Sequence, residues 1–168
     1  HTRRRRQRQM CIRDRGKTVL KNCAIEPEIK DLTNFLNSAG AKIRWSGRMC
    51  KILGTDSLNQ TEYTVMADRI EAGTFCVAAT LTRGNLEIKN FNPDIIRTEL
   101  ELLKKAGARI KINSNKITVI GPEKIKPIKN IKTREWPGVA TDMQSQLMVL
   151  MCRAVSYTHL TLPTTSCV

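Results

Sequence analysis

Residues 35–54, FLNSAGAKIRWSGRMCKILG, align without a gap on residues 102–121, LLKKAGARIKINSNKITVIG. Each stretch reads as the end of a helix, an Ala-Gly-Ala turn, a strand, a polar turn and a second strand that closes on glycine. Glycine just past a helical stripe stops the helix by taking the left-handed conformation, and two short strand-like runs around a polar turn make a hairpin. A unit of this size that recurs within one chain does not stand alone, and its apolar faces call for a neighbour. The fold class that follows is α/β, with duplicated helix-turn-strand-strand units in which helices cover a sheet.

The pattern extends on both sides. In EPEIKDLTNFLNSAG, the residues Ile29, Leu32, Phe35, Leu36 and Ala39 fall on one helical face, with Pro27 in the first turn and Gly40 at the stop, so a helix over roughly 27–39 is expected. AKIRW, MCKIL and TEYTV follow as strands, the last on its period-2 alternation. ADRIEAGTFCVAATLTRG gives a second helix ending at Gly84, and LEIKN a further strand. Asn92 and Pro93 form an N-cap and first-turn pair for DIIRTELELLKKAG, whose Ile96, Leu100 and Leu103 mark a third helix. ARIKI, KITVI and PIKNIK are expected strands, with the lysines of KIKPIKNIK forming a charged, protected sheet edge. Thr141 and Gln144 have capping-box spacing ahead of Met143, Leu147, Leu150 and Met151, a fourth helix.

The 168 residues carry 29 lysines and arginines against 15 acids, a net charge of +14. Much of that excess lies in residues 1–15, HTRRRRQRQMCIRDR, which on charge alone reads as an arm for nucleic-acid phosphates. Residues 155–168, VSYTHLTLPTTSCV, change that reading. If residues 10–14 are encoded ATG TGT ATA AGA GAC, the complementary strand encodes Val155, Ser156, Tyr157, Thr158 and His159. The match runs outward to His1 against Val168, fourteen codon-compatible pairs in all. An inverted repeat of that length is a property of DNA, and its innermost codons resemble the mosaic end of a transposase-based sequencing adaptor. Residues 1–15 and 155–168 are therefore read as adaptor-derived, non-native segments and set aside from fold reasoning.

The body, residues 16–154, keeps 22 lysines and arginines once seven arginines are set aside, and 14 acids once one is, for a net charge of +8. That suits an anionic substrate as well as a polynucleotide. The body has no histidine, which excludes a Ser-His-Asp or Cys-His relay and a His-bearing zinc site. Cys23, Cys50, Cys76 and Cys152 form no CxxC pair and read as reduced, mostly buried thiols. No apolar run approaches the ~20 residues of a membrane helix. With no secretory signal leading the chain, a cytoplasmic location is expected.

NCAIEPEIKDLTNFLNSAGAKI, QTEYTVMADRIEAGTF and WPGVATDMQSQLM, in that order, resemble the UDP-N-acetylglucosamine 1-carboxyvinyltransferase family of enolpyruvyl transferases, over a span from Gly16 to Cys152. The resemblance implies an inside-out α/β barrel fold of two domains, each built from three copies of a similar unit, with the active site in the cleft between them. Only part of it would be present here. Residues 16–66 would end one domain, and residues 67–154 would begin the main part of the other. The implied reaction moves the enolpyruvyl group of phosphoenolpyruvate to the 3-hydroxyl of UDP-N-acetylglucosamine with release of phosphate, the first committed step of peptidoglycan synthesis. Those two small molecules are the implied partners, with no nucleic acid and no membrane. The substrates carry their own leaving group, so no metal or organic cofactor is required.

Four residues take roles by this resemblance. Asp142, in ATDMQ, matches the family aspartate that contacts the sugar and serves as proposed general base; without the resemblance it is an acid favoured by a helix dipole. The same dipole favours the charged carboxylate and weakens it as a base, so proton transfer must be concerted with phosphoenolpyruvate protonation, or domain closure must desolvate the group. Asp68 and Arg69, in ADRIEAGTF, match a motif at the interdomain crossing. Asp68 reads equally as an N-cap with Glu71 completing a local box, and Arg69 either as a surface arginine or as an anion or interdomain contact. Glu26, in EPE, is a weaker substrate-binding candidate, since an acid opening a helix needs no further function.

The chain departs from the family in several places. Ala67 and Ala140 stand where proline usually precedes the two aspartate motifs, so the backbone restriction that proline imposes is missing there. The family's Lys-Asn pair for phosphoenolpyruvate, its reactive-cysteine loop, its main uridine-binding stretch and its carboxy-terminal arginines have no counterpart. The expectation is an internal piece of an enzyme, inactive alone. Two rivals are the related shikimate-pathway enolpyruvyl transferase, against which the EPEI, DRIEAGTF and TDMQ set argues, and a basic nucleic-acid-binding module. For the latter, the body lacks an aromatic and basic cluster that could stack bases.

Overall fold

A computed structural model describes residues 16–154 and the backbone of Leu160–Thr161. The arginine-rich segment 1–15 and the rest of 155–168, with both histidines, Cys11 and Cys167, lie outside the described residues. The chain divides between Met66 and Ala67 into two compact units.

In the first unit, β1 (Lys17–Leu20) leads to α1 (Pro27–Ser38) and then to the hairpin β2 (Lys42–Ser46) and β3 (Met49–Leu53). The sheet order is β1-β3-β2, with β3 antiparallel to both neighbours. β1 and β2 therefore run in the same direction on either side of β3, a split β–α–β arrangement. Helix α1 ends in a Schellman motif: the N–H of Gly40 donates to the Asn37 carbonyl at 3.0 Å and that of Ala41 to the Leu36 carbonyl at 3.0 Å. Gly40 sits at φ 101°, a conformation open to glycine and costly for other residues. The Asn37 side chain then fastens the helix end to β2, donating to the Ile43 carbonyl at 3.0 Å and accepting from its N–H at 2.9 Å.

One sequence expectation fails in this unit. TEYTV forms no strand. β3 already has a neighbour on each edge, and the segment docks by side chains instead: the Tyr63 hydroxyl donates to Asp31 Oδ1 at 2.8 Å, and its ring tilts against Phe35 with centroids 5.5 Å apart. The apolar face of α1 is also only partly covered. Thr33 is the buried residue of the helix, accepting from Trp45 Nε1 at 3.2 Å, while Ile29, Leu32 and Phe35 remain exposed. The core is correspondingly small: Ala41, Ile43, Cys50 and Ile52, backed by Leu20, Cys23, Leu36 and Trp45.

The second unit opens with α2 (Arg69–Leu81). β4 (Asn85–Lys89) follows, then a 3₁₀ turn (Pro93–Ile96) running into α3 (Arg97–Lys105), and the hairpin β5 (Arg109–Asn113) and β6 (Lys116–Ile120). Its sheet order, β4-β6-β5, places the first strand and the hairpin as in the other unit. Asn92 caps the 3₁₀ turn, its Oδ1 accepting from the Asp94 N–H at 3.0 Å. At the end of α3, Gly107 has φ 103°, with its N–H donating to the Lys104 carbonyl and that of Ala108 to the Leu103 carbonyl, a second Schellman closure.

α4 (Gln144–Arg153) completes a much larger core with Cys76, Phe91, Ile96, Leu100, Leu103, Ile117, Leu147 and Leu150. It begins from a 3₁₀ turn (Thr141–Met143) whose N-cap is Ala140, with no side-chain cap, so the expected Thr141 and Gln144 box does not form. The expected strand PIKNIK shrinks to β7 (Ile131–Lys132), which pairs in parallel with β8 (Leu160–Thr161), too short a pairing to be stable by itself. Ile125, Ile128 and Ile131 are buried at spacing three, which matches an irregular segment anchored at intervals rather than an alternating strand. The cysteines split: Cys50 and Cys76 are buried, Cys23 half-buried and Cys152 exposed, all free thiols. Burial pushes the Cys76 thiol up to about 12.

Gly121, the close of the second repeat, lies so near α2 that a Cβ there would meet the Ala79 carbonyl oxygen and stand 2.8 Å from the Arg83 Cα. Gly121→Ala is therefore expected to destabilise the protein by ~1–3 kcal/mol, as overpacking does. Chemical denaturation checks this, and an unchanged midpoint would contradict the contact.

Candidate functional site

The ADRIEAGTF segment forms the start of α2. Asp68 is its N-cap, with Oδ1 accepting from the Ile70 N–H at 2.7 Å and the Glu71 N–H at 3.2 Å. These bonds satisfy two of the orphan donors at a helix start. Asp68 itself is exposed, whereas Arg69, which could have been a solvated surface arginine, is 8% exposed and faces inward.

The TDMQ segment packs directly on the same helix. Met143, 1% exposed, lies against Gly73, where a Cβ would come within 2.9 Å of its sulfur. Gln146 Nε2 donates to Thr74 Oγ1 at 2.9 Å, at the next residue along α2. Asp142 is carried on the 3₁₀ turn between Thr141 and Met143, with its carboxylate on the exposed side. Two motifs about seventy residues apart in sequence thus meet within one unit, and the small residue Gly73 is what lets them close.

A residue that sequence reasoning passed over joins them. Glu99, in the first turn of α3, is 3% exposed, and its Oε1 accepts from the Ala140 N–H at 3.3 Å. Burial holds its carboxyl above the usual carboxylate range, against the opposing pull of its own amide, the Ala140 amide and the positive charge of Arg69. A signal was available: position 99 lies three residues after Ile96 and four before Leu103, on the buried stripe, where an acid demands a partner.

Glu26 belongs to the other unit. It occupies the N-cap position of α1 without a side-chain cap bond, and its Oε2 is buried with no hydrogen-bond partner. A buried carboxylate oxygen without a donor is costly, and a ligand N–H or O–H would satisfy it. Among the described residues, no three His, Cys, Asp or Glu side chains gather as a metal site. No described helix is long and apolar enough to cross a membrane. A cleft of about 180 Å³ lined by Leu81, Arg83, Pro122, Lys124 and Arg153 contains none of the sequence-predicted residues. It is smaller than the several hundred Å³ typical of small-molecule sites.

Comparison with known proteins adds the following. The family described as EPSP synthase (3-phosphoshikimate 1-carboxyvinyltransferase) matches residues 10–165. A UDP-N-acetylglucosamine 1-carboxyvinyltransferase of Pelagibacter ubique (strain HTCC1062) is 52% identical over 147 residues, covering 87% of this chain and 35% of the relative. One from Clostridium perfringens (strain 13 / Type A) is 51% identical, covering 82% of this chain and 33% of its own length. One from Legionella pneumophila (strain Lens) is 47% identical, with 82% and 27% covered. The chain thus spans about a third of the length of the curated relatives it matches. Among solved structures, the enolpyruvyl transferase NikO from Streptomyces tendae superposes with a TM-score of 0.74 at 25% identity, over 91% of this chain and 38% of that one. An EPSP synthase from Acinetobacter baumannii shares the fold at a TM-score of 0.50 and 22% identity, over 71% of this chain and 29% of its own.

The Glu99 carboxyl gives a pH test. A carboxyl raised on folding binds its proton more tightly in the folded state, so its stabilising contribution is complete below the unfolded value, near 4.5, and is lost as pH rises through the folded one. Glu99→Gln, which mimics the protonated form, should gain stability relative to the parent chain as pH rises from about 4 to about 8. Thermal melts across that range measure the difference; a constant difference would contradict the assignment.

Proposed function

The chain belongs to the enolpyruvyl transferase family, and from that premise we propose that it is a segment of a UDP-N-acetylglucosamine 1-carboxyvinyltransferase. The observation that carries this is the identity to three curated enzymes of that name over more than four fifths of the chain. The family profile is named for the shikimate-pathway enzyme. The EPEI, DRIEAGTF and TDMQ set and the curated relatives favour the sugar-nucleotide enzyme instead.

On this reading the sugar 3-hydroxyl oxygen adds to C2 of phosphoenolpyruvate while C3 takes a proton. The tetrahedral adduct then loses phosphate from C2 and a proton from C3, leaving the enolpyruvyl ether. Asp142 accepts the hydroxyl proton, which requires that its exposed carboxylate come within hydrogen-bond reach once sugar is bound, and that the transfer be concerted with protonation of C3 or the carboxylate be desolvated by closure. Asp68 and Arg69 open α2 at the boundary between the two units, the position proposed for the interdomain crossing. Glu26 would spend its unpaired oxygen on a donor of the substrate.

The split β–α–β units with shared strand order are read as two copies of the repeat from which the partial inside-out barrel is built, residues 16–66 closing one domain and residues 67–154 opening the other. Residues 1–15 and 155–168 remain read as adaptor-derived. The reaction would take place in the cytoplasm, a reducing compartment that suits the four free cysteines among the described residues.

In the full-length enzyme carrying this segment, Asp142→Asn should lower kcat by about 100-fold or more, the scale of a lost general base, with UDP-N-acetylglucosamine rather than shikimate 3-phosphate as acceptor. Phosphate release measured with each acceptor checks both points. An Asn variant as fast as the parent would remove Asp142 from the chemistry, and turnover of shikimate 3-phosphate would favour the rival.

A further inference from the structure

We infer that Glu99 is a positioning residue for Asp142, and that its hydrogen bond to the Ala140 amide does in this chain what a proline ring in place of Ala140 would do covalently. The inference rests on the reading of Asp142 as the proton acceptor.

Ala140 has φ −61° and ψ 142° and immediately precedes the turn that bears Asp142. That φ is the value a proline ring imposes, yet alanine does not hold it unaided. The neighbouring backbone is already set. Val139 forms a parallel bridge with Thr133, and its carbonyl accepts from the Arg134 N–H at 2.9 Å. On the far side the Met143 N–H donates to the Ala140 carbonyl at 3.1 Å, and the Met143 side chain is seated on Gly73. The Ala140 N–H is the remaining group, buried with its residue at 8% exposure, and Glu99 Oε1 takes it.

At 3.3 Å this bond is long, so direction rather than strength is its contribution. The carboxylate comes from α3, a helix fixed by fully buried Leu100 and Leu103, and Arg69 supplies the countercharge from the first turn of α2. A buried carboxylate in an apolar stripe is costly, and an apolar residue of similar size would pack there at less cost. What an apolar residue could not do is accept the amide and fix the turn. Arg69, Glu99 and the Ala140 amide therefore link the start of α2 to the turn that presents Asp142.

The test is a double-mutant cycle in the full-length enzyme carrying this segment. Glu99→Asp keeps the charge opposite Arg69 but falls a methylene short of the amide; Ala140→Pro removes the donor and fixes φ by itself. Glu99→Asp should lower kcat about tenfold or more while leaving the sugar-nucleotide KM within about threefold, as misplacement of a catalytic group does. Glu99→Gln, which keeps the acceptor oxygen, should stay within about threefold of the parent. In the Ala140→Pro background Glu99→Asp should cost less than about threefold, because the turn no longer depends on the bond. Should Glu99→Asp fail to fold, Glu99→Met takes its place in the same cycle.

Unchanged kcat in Glu99→Asp, or an equal loss in the parent and Ala140→Pro backgrounds, overturns the inference. If the parent enzyme shows no transferase activity, the functional reading fails separately. Amide exchange of residues 141–143 then decides the positioning claim: faster in Glu99→Asp and restored by Ala140→Pro if it holds, indifferent to both if it does not.

Discussion

A helix that must hand its chain to a strand within three residues needs one residue at positive φ, and both units depend on meeting that requirement with glycine. Gly40 at φ 101° and Gly107 at φ 103° each terminate a helix by the same pair of backbone bonds. With those turns fixed, the following strand is aimed along the sheet and its hairpin partner fills the centre, leaving an edge for the strand that preceded the helix. A residue with a Cβ at either position would meet the left-handed penalty, and the hairpin behind it would lose its direction.

The second unit builds on this frame with a much larger core and carries three of the four candidate residues, Asp68, Arg69 and Asp142. The DRIEAGTF and TDMQ segments meet because Gly73 leaves room for Met143, and the contact carries polar links as well. Arg69 and Glu99 oppose one another inside the unit, and the carboxylate reaches the backbone two residues before Asp142. The exposed acid is thus presented by a turn whose supports are buried. Such division suits a group that must meet a substrate at a fixed place.

Much of the fold was legible in the residues. The repeat gave both hairpins and both glycine stops, and Asn92 and Asp68 proved to be caps because short polar side chains before a helix have little else to do. The strand β1 was not legible, since KTVL carries too few residues to announce itself, and TEYTV was misleading because alternation cannot reveal that a sheet already has its neighbours. PIKNIK misled in a similar way: its isoleucines are spaced for anchoring, not for pleating. Of the candidate site, Asp142, Asp68, Arg69 and Glu26 were legible only through the resemblance of their motifs to the family, and the link through Glu99 depends on tertiary proximity between α3 and the turn at Ala140. Only the misfit of an acid on a buried stripe hinted at it.

The central claim is that this chain carries the carboxylate that takes the proton from a sugar hydroxyl. A crystal structure of the full-length enzyme carrying this segment, with UDP-N-acetylglucosamine bound, tests it most directly. The account predicts the sugar 3-hydroxyl at about 3 Å from the Asp142 carboxylate. A sugar nucleotide bound with its 3-hydroxyl turned toward another residue, and Asp142 beyond the reach of one intervening water, would contradict it.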